Sequence, residues 1–496
     1  MADVALDGPP RAHNSDTGLT LFRDKAYIDG SWCCAGTGLV VAVTDPATGR
    51  LIGTVPDMGS IETRRAVAGA NRAQKLWARW TAFERGACLR RWGDLLRTHR
   101  EELARLMTLE QGKPVAEARA EIDYAASFLN WFGEQGERHD GEMITSHLRG
   151  RKMFAFRAPI GVAAAITPWN FPSAMITRKA GAALAAGCAM VVRPASETPF
   201  SALALAVLAE KSGIPPGVFS VITGSAKPIA NALMEDTVVR HLSFTGSTEV
   251  GRLLAAQGAK TVKKIAMELG GHAPLIICED VDLDEAVSAA VAAKFQTSGQ
   301  DCLAANRIFV AQTLYTSFCS RYAEAVRALK VGNGFGDGVE IGPLINLSAV
   351  ATCDAQVADA LAQGGRLLVG GTSGVPGPLF YSPTVLADVT PDMKIFREET
   401  FGPVAAVLPF ASDAQVVDLA NDTEFGLAAY LYGRDVGRLW RMGECLEYGM
   451  IAFNTVKMTG PPVPFGGVKQ SGLGREGSRH GIDEYSEIKY FCVNGL

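Results

Sequence analysis

The sequence lacks the marks of several protein classes. Its 496 residues include ten cysteines but no CxxC pair, and its seven histidines are scattered with no HExxH-like cluster. Metal sites usually show such spacings, so we expect no structural or catalytic metal. Ten cysteines in so long a chain also form no disulfide framework, which indicates a reducing compartment.

The sequence also has a small net charge and few long apolar runs. Lysine and arginine number 48 against 52 for aspartate and glutamate, a net charge of -4 without the basic footprint of a nucleic-acid partner. No apolar run approaches the ~20 residues that span a bilayer, so we expect no membrane partner. Residues 1–20 are polar and lack the apolar core of a signal peptide, which predicts a cytoplasmic protein with a short disordered lead-in.

Apolar residues make up 48% of the sequence, enough for a large core, and a prior of about 150 residues per domain suggests about two to four domains. Residues 21–58 resemble short strands, with a hairpin-type turn at Asp29 and Gly30. Residues 60–135 then carry apolar side chains at helical spacing.

From residue 161 onward, strands alternate with helices. Buried strands are expected at 161–166, 189–192, 218–222 and 240–244, and a second series begins at 274–278. This order predicts parallel βαβ units in an α/β fold with a doubly wound sheet. Such sheets bind ligands at the carboxyl ends of their strands.

Cys302 lies in a loop of small and polar residues directly after an apolar helical run, 283–295. Reactive cysteines favour partly exposed polar sites, because the thiolate is the nucleophile. Free cysteines are more often small core residues, as we expect for Cys188 and Cys278. The loop alone leaves both interpretations of Cys302 open.

Other strand ends carry candidate catalytic groups. Asn170 lies between two prolines in the turn 167–172 and is either an oxyanion donor or an ordinary turn asparagine. Glu268 ends an apolar strand before two glycines and is either a general base or a cap. The pair Glu399 and Phe401 places a carboxylate and an aromatic ring before a turn.

Two strand ends suggest an anionic ligand. Gly246 and Ser247 join a strand to a helix whose free N–H groups suit a pyrophosphate, although a full GxGxxG and a Walker lysine are missing. A simple helix cap is the alternative. Arg193 and Ser196 end another strand and suit a ribose or its 2′-phosphate, unless Arg193 is a surface residue.

Together and in this order, the motifs resemble the NAD(P)-dependent aldehyde dehydrogenase superfamily from about residue 22 to the C-terminus. The matching motifs are WNFP at 169–172, FTGS at 244–247, ELGG at 268–271, GQDC at 299–302, ETFGP at 399–403 and PFGG at 464–467, with 472–476. Segments 176–181, 420–430 and 472–478 look most similar to the succinate-semialdehyde dehydrogenases.

The resemblance implies an α/β architecture of three parts. These are a Rossmann-like dinucleotide-binding domain (1–138 and 156–267), an α/β catalytic domain (268–466) and a small β oligomerisation arm (139–155 and 480–496). It also implies a homodimer or homotetramer, a small aldehyde as substrate, and NAD or NADP as cofactor.

The resemblance implies a role for each catalytic residue. Cys302 would attack the aldehyde to give a thiohemiacetal, while the Asn170 side chain and the Cys302 backbone N–H form the oxyanion hole. Hydride transfer would leave a thioester, which water activated by Glu268 hydrolyses. Lys179 and Glu476 match positions that relay protons in the superfamily.

The resemblance also implies a set of cofactor contacts. The expected contacts are Thr167, Trp169, Arg193, Ser196, Gly246, Ser247, Glu399 and Phe401, with Glu399 on the nicotinamide ribose and Phe401 against the ring. Position 193 is usually lysine, and many NAD-preferring members have glutamate at 196, which repels a 2′-phosphate. Ser196 removes that repulsion, so we expect NADP to be favoured over NAD.

The substrate residues depart from the subgroup, which grips a distal carboxylate with two arginines and a hydroxyl. Arg178 matches the first arginine, Thr459 lies near the hydroxyl position, and Gln296 replaces the second arginine. That exchange removes a charge-assisted bond of ~1.5–3 kcal/mol, which the extra cation Lys457 could compensate. We expect a semialdehyde such as succinate semialdehyde; a glutarate- or oxoglutarate-type semialdehyde, or an uncharged or aromatic aldehyde, is the alternative.

Two smaller departures from the subgroup remain, and three other functions compete with the aldehyde dehydrogenase interpretation. Ala304 replaces the second cysteine of a redox switch, so we expect no such disulfide, and His272 replaces an asparagine without an evident reason. A coenzyme A-acylating dehydrogenase generally lacks the glutamate found at 268. A Cys–His hydrolase would need a histidine beside Cys302, and a non-catalytic structural homologue would not need the set of catalytic groups.

Overall fold

The structure, a computed structural model, describes residues 18–495, so most of the expected disordered segment 1–20 lies outside the described residues. The strands are β1 (Ala26–Ile28), β2 (Ser31–Cys33), β3 (Val40–Thr44), β4 (Leu51–Pro56), β5 (Glu142–Ile144), β6 (Arg151–Pro159), β7 (Val162–Ile166), β8 (Ala189–Arg193), β9 (Phe219–Val221), β10 (Val239–Thr245), β11 (Lys264–Glu268), β12 (Ala273–Ile277), β13 (Ala305–Ala311), β14 (Arg366–Val369), β15 (Thr384–Ala387), β16 (Val404–Phe410), β17 (Ala428–Tyr432), β18 (Met450–Phe453), β19 (Gly472–Leu473) and β20 (Ser486–Asn494).

Helices connect most of these strands. They are α1 (Ser60–Trp77), α2 (Ala82–Thr98), α3 (Arg100–Gln111), α4 (Val115–Gln135), α5 (Ala174–Ala186), α6 (Pro199–Lys211), α7 (Ala226–Glu235), α8 (Thr248–Ala259), α9 (Leu283–Phe295), α10 (Tyr315–Arg327), α11 (Leu347–Ala362), α12 (Lys394–Arg397), α13 (Asp413–Asn421), α14 (Val436–Cys445) and α15 (His480–Asp483). No helix among the described residues is long and apolar enough to cross a membrane.

The first large sheet has eight strands in the order β19-β11-β10-β7-β8-β9-β1-β2. Strands β7 to β11 are mutually parallel, and β7 and β8 are buried along their whole length, as expected for a sheet covered by helices on both faces. The chain passes from β9 to β10 across β7, so the strand order reverses beside β7. The carboxyl ends of β7 and β10 therefore flank a crevice suited to a ligand.

The second large sheet has seven strands in the order β14-β15-β16-β13-β12-β17-β18, all parallel except the β14–β15 pair. Residues 269–272 connect the carboxyl end of β11 to the amino end of β12. The loop before β13 opens on the same side. The carboxyl edge of the first sheet therefore faces the amino edge of the second, and the predicted α/β fold is confirmed.

A third sheet, in the order β20-β6-β5, lies apart from both. Strand β6 continues to Pro159, four residues beyond the boundary expected at 155. The three domain boundaries themselves stay predictions.

Local signals set where several elements begin and end. Asp282 caps the start of helix α9, because its carboxylate accepts from the backbone N–H groups of Asp284 and Glu285. Gly187 caps the end of helix α5 and has a left-handed φ of 95°. Asp29 and Gly30 both have positive φ in the β1–β2 hairpin, as the turn prediction requires.

Strand β19 was not anticipated from the sequence. Its two residues pair with the end of β11, Gly472 opposite Glu268 and Leu473 opposite Met267. A Cβ atom at position 472 would lie 2.1 Å from the carbonyl oxygen of Met267. Glycine at 472 therefore lets the C-terminal segment pack directly against Glu268. The sequence does not predict this strand, because two residues are too few to show the alternation of apolar side chains that marks a strand.

Candidate active site

A cavity of about 370 Å³ opens between the two large sheets. Its wall includes Cys302 and all three expected substrate residues, Arg178, Gln296 and Thr459. Residues far apart in the chain thus converge on one sulfur, which is the arrangement expected of an active site.

The loop that carries Cys302 is held rigidly. After α9 the backbone turns through three successive left-handed residues, Thr297, Ser298 and Gly299. The Gln300 side chain then fastens the loop, since its Oε1 accepts from the backbone N–H of Ile345 at 2.9 Å. Backbone strain of this kind is kept only where the surroundings enforce it.

Cys302 is half-buried, in line with the partly exposed sulfur expected from the sequence. Burial raises the pKa of its thiol well above the usual range, and the nearby carboxylates of Asp301 and Glu399 raise it further. The resting sulfur is therefore a neutral thiol. A base has to remove its proton before it can act as a nucleophile.

Asn170 follows β7 and reaches the Cys302 loop. Its Nδ2 donates to the carbonyl oxygen of Gln300 at 3.0 Å, which leaves the second N–H of the amide uncommitted. Asn170 is buried, and its Oδ1 has no hydrogen-bond partner among residues 18–495. A fixed amide N–H against the loop that carries the sulfur is suited to stabilise an oxyanion.

A buried ion pair holds Asn170 in place, and sequence reasoning missed it. The Lys113 ammonium donates to the Asn170 carbonyl oxygen at 2.7 Å and pairs with Glu121 at 2.6 Å. Glu121 also accepts from the backbone N–H groups of Ser173 and Ala174, which begin α5. Because Lys113 lies 57 residues before Asn170, no local pattern could reveal the contact.

Glu268 ends β11 and is almost fully buried, at 4% exposed. Its Oε2 has no hydrogen-bond partner in the described part of the chain. Burial raises the pKa of this carboxyl well above its usual range, and the nearby Glu476 carboxylate raises it further. A carboxyl with a raised pKa is fitted to general acid–base work near neutral pH.

The two glycines after Glu268 permit close packing rather than flexibility. A Cβ atom at Gly271 would lie 2.1 Å from the Cys302 carbonyl oxygen, and one at Gly270 would lie 2.7 Å from Glu399 Oε2. Neither glycine has a left-handed φ. The contact with the Cys302 backbone therefore leaves no room for a side chain at position 271.

Glu476 joins the two cations beside it in a buried network. Lys179 donates to Glu476 and, at 2.7 Å, to Thr245 Oγ1, and Arg178 forms an ion pair with the other oxygen of Glu476. Burial acts to raise the pKa of Glu476, but Arg178 and Lys179 outweigh it and hold this pKa below the usual range. The expected substrate cation Arg178 is thus already paired, which the sequence did not show.

The expected cofactor residues line the crevice at the strand ends of the first sheet. Arg193 donates to Ser196 Oγ at 2.7 Å, and the Ser247 hydroxyl caps α8. Two buried atoms here, Thr167 Oγ1 and Arg193 Nε, have no partner among the described residues. These open groups and the helix N-terminus fit a dinucleotide.

Three more of the expected cofactor residues, Glu399, Phe401 and Gly246, lie around the loop after β11. Glu399 accepts from the Gly271 backbone N–H at 2.9 Å, and burial raises its pKa to about 7. Phe401 has a positive φ of 47° and packs edge-on against Trp169 at 5.5 Å between ring centres. The backbone N–H of Gly246 donates to the Glu268 carbonyl oxygen at 3.1 Å and so joins the loop after β10 to the end of β11.

The family model described as the aldehyde dehydrogenase family matches residues 32–491. The chain belongs to this family. The resemblance stated from the motifs is confirmed, and the chain is an oxidoreductase of aldehyde dehydrogenase type.

Individual aldehyde dehydrogenases are similar over nearly their whole length. The NADP(+) succinate-semialdehyde dehydrogenase of Escherichia coli (strain K12) is 53% identical over 473 residues, 95% of this chain and 98% of that one. A glutarate-semialdehyde dehydrogenase of Pseudomonas aeruginosa is 52% identical over 476 residues, 96% and 99% of the two chains. A crystal structure of succinate-semialdehyde dehydrogenase from Burkholderia pseudomallei has 54% identity and a TM-score of 0.95, covering 96% and 98%.

His272, unexplained in the sequence, has a structural place in this aldehyde dehydrogenase. Its ring is fully buried, with one nitrogen 2.7 Å from the Phe396 carbonyl oxygen and the other 3.3 Å from the Asn306 amide. Lys294 donates to Asn306 from the other side at 2.6 Å. His272 therefore braces the wall behind Gly271 and is not the partner that a Cys–His hydrolase would place on Cys302.

Proposed function

We propose that this aldehyde dehydrogenase oxidises an ω-semialdehyde, such as succinate semialdehyde, to the dicarboxylic acid with NADP or NAD as electron acceptor. The observation that carries the proposal is the setting of the cavity-lining Cys302. Asn170 donates to the Gln300 carbonyl oxygen of the same loop, and the unpartnered carboxyl of Glu268 lies near enough to act on the sulfur electrostatically. The relatives named above for succinate and glutarate semialdehydes support the substrate class.

The first step forms a bond between Cys302 and the substrate. Glu268 accepts the thiol proton, which has to leave before attack because burial raises the pKa of Cys302 and keeps its sulfur protonated. Sγ then adds to the aldehyde carbon, and the carbonyl electron pair moves to oxygen. The Asn170 amide and the Cys302 backbone N–H stabilise the resulting negative charge.

The second step is the oxidation, and the third is hydrolysis. A bound oxidised nicotinamide would supply the acceptor for the hydride that leaves the thiohemiacetal carbon. The carbon–oxygen double bond re-forms, which leaves a thioester on Cys302. Once Glu268 has released the thiol proton, it takes a proton from a water molecule, whose oxygen adds to the thioester carbon. The carbon–sulfur bond then breaks, the acid is released, and Glu268 returns this proton to the sulfur. Glu476 and Lys179 provide a route for the proton away from the buried site.

We propose NADP as the favoured cofactor. Arg193 supplies a fixed cation at the end of β8, and its contact with the Ser196 hydroxyl presents no negative charge to a 2′-phosphate. Glu399 would hold the nicotinamide ribose, Ser247 the pyrophosphate, and Phe401 the face of the ring.

We further propose a homodimer or homotetramer assembled through the third sheet, in the cytoplasm. Strand β20 exposes Ile488, Tyr490 and Phe491 at 65%, 54% and 44%, and β5 exposes Met143 at 74%. Apolar surface of this extent is typical of an interface. The cysteines described are all free thiols, which suits a reducing compartment.

The test is a spectrophotometric assay of the purified protein for reduced nicotinamide. Succinate and glutarate semialdehydes should be oxidised with NADP or NAD, the free acid should be the product, and Cys302→Ala should be inactive. Absence of any reduced nicotinamide would favour a non-catalytic homologue. A product formed only with coenzyme A would favour the acylating class instead.

A further inference from the structure

Three cations line the substrate cavity: Lys113, Arg178 and Lys457. An anionic tail entering the cavity needs a cation that is not already neutralised. The structure distinguishes the three by what each already contacts.

Lys113 and Arg178 are both committed. Lys113 is 2% exposed, pairs with Glu121 at 2.6 Å and donates to a backbone carbonyl oxygen at 2.7 Å. Arg178 is 2% exposed, pairs with Glu476, and stacks its guanidinium 4.1 Å over the Phe465 ring. Recruiting Lys113 would strip the buried Glu121 of its paired cation, and recruiting Arg178 would break one of the two ion pairs of the buried Glu476; both changes are costly.

Lys457 is the exposed cation of the cavity wall, and its ammonium takes part in no ion pair within residues 18–495. The loop that carries it is anchored at both ends. Asn454 exchanges hydrogen bonds with the backbone of Gly433, at 3.0 and 2.9 Å, and the Ser478 N–H donates to the Pro461 carbonyl oxygen at 2.6 Å. Lys457 is thus held at the cavity while its charged end stays free.

The rest of the wall leaves few other places for an anion. Glu117 and Asp301 also line the cavity, and their carboxyl groups disfavour a negative tail beside them. Gln296 and Thr459 supply an amide and a hydroxyl on the same wall as Lys457. These neutral groups can donate hydrogen bonds but carry no charge.

We infer that Lys457 binds the distal carboxylate of the substrate and sets the preference for ω-semialdehydes over uncharged aldehydes. The inference rests on the function proposed above. A lysine carries a compact charge on a flexible four-carbon stem, unlike the planar fork of arginine. Lys457 can therefore follow carboxylates at different distances from the aldehyde, so the enzyme accepts four- and five-carbon semialdehydes with similar kcat/KM.

The experiment compares Lys457→Met, Lys457→Arg and, as a matched control, Lys227→Met, which removes the same charge from an exposed position of α7 outside the cavity. Steady-state rates are measured with succinate semialdehyde, glutarate semialdehyde and butanal, at low and high KCl. In Lys457→Met the KM for both semialdehydes should rise about fivefold, the loss expected when a solvent-exposed ion pair is removed. Lys457→Arg should retain most of the preference, and Lys227→Met all of it.

Salt supplies an independent readout, because an exposed ion pair is screened by added ions. The wild-type KM for semialdehydes should rise with KCl, and that rise should be lost in Lys457→Met. A semialdehyde preference that survives unchanged in Lys457→Met overturns the inference alone. A wild-type enzyme that oxidises butanal as well as either semialdehyde overturns the proposed substrate and the inference together.

Discussion

Removing the Lys113 ammonium should destabilise the protein strongly, because its ion pair with Glu121 is buried. The two side chains are 1% and 2% exposed. In Lys113→Met the Glu121 carboxylate keeps its two backbone donors, at 2.9 and 3.2 Å, but loses its counter-charge. Breaking a buried pair by removing one partner costs about 3–5 kcal/mol, and the two remaining donors place the expected loss near 3 kcal/mol.

The loss is measurable as the free energy of unfolding in urea, followed by tryptophan fluorescence. Lys75→Met, at an exposed position of α1, is the matched control and should unfold like the wild type. Adding Glu121→Gln to Lys113→Met should cost less than the two single losses combined, by more than about 1 kcal/mol, because the unpaired charge is gone. A Lys113→Met protein within about 1 kcal/mol of wild type, or strictly additive losses, would refute the reasoning.

Three further predictions concern the reaction. Since the Glu268 pKa is raised by burial and by Glu476, its base form appears only as pH rises above the usual carboxyl range, so kcat should climb with pH there; a flat profile would contradict this assignment. Ser196→Glu should shift the NADP/NAD ratio of kcat/KM at least about tenfold towards NAD, because like charges brought together cost several kcal/mol; an unchanged ratio would remove Ser196 from cofactor selection. Gln296→Arg should lower the KM for succinate semialdehyde about tenfold by adding a charge-assisted bond, and an unchanged KM would place the carboxylate elsewhere.

The part of the site that sequence reasoning could find consists of residues embedded in local motifs. Glu268 ends a strand and Asn170 follows one, whereas Cys302 lies between a helix and the next strand. The alternation of strands and helices predicts that strand ends gather at one sheet edge. The structure brings them to facing edges of two sheets. The order of the motifs identified these residues as catalytic candidates, and the βαβ topology explains why they lie close together.

The sequence did not predict which residues form ion pairs and hydrogen bonds with residues far away in the chain. The pairing of Arg178 with Glu476 spans almost 300 residues, and the Lys113 contact joins a helix end to a turn in another part of the fold. Such contacts depend on how helices pack over the sheet, and no local periodicity encodes them. For the same reason the sequence presented Arg178 as the substrate cation, whereas the structure leaves Lys457 as the cation without an ion pair on the described cavity wall.

The most direct test of the account is a rapid-mixing measurement of reduced nicotinamide in Glu268→Gln. Glu268 assists removal of the thiol proton, and hydrolysis of the thioester requires it. This variant should therefore show a slower burst of hydride transfer, with the thiol proton passing to water, of about one equivalent per site, and then stop. Cys302→Ala should show no burst, and the wild type should turn over continuously. Full steady-state turnover in Glu268→Gln, or a burst in Cys302→Ala, would contradict it.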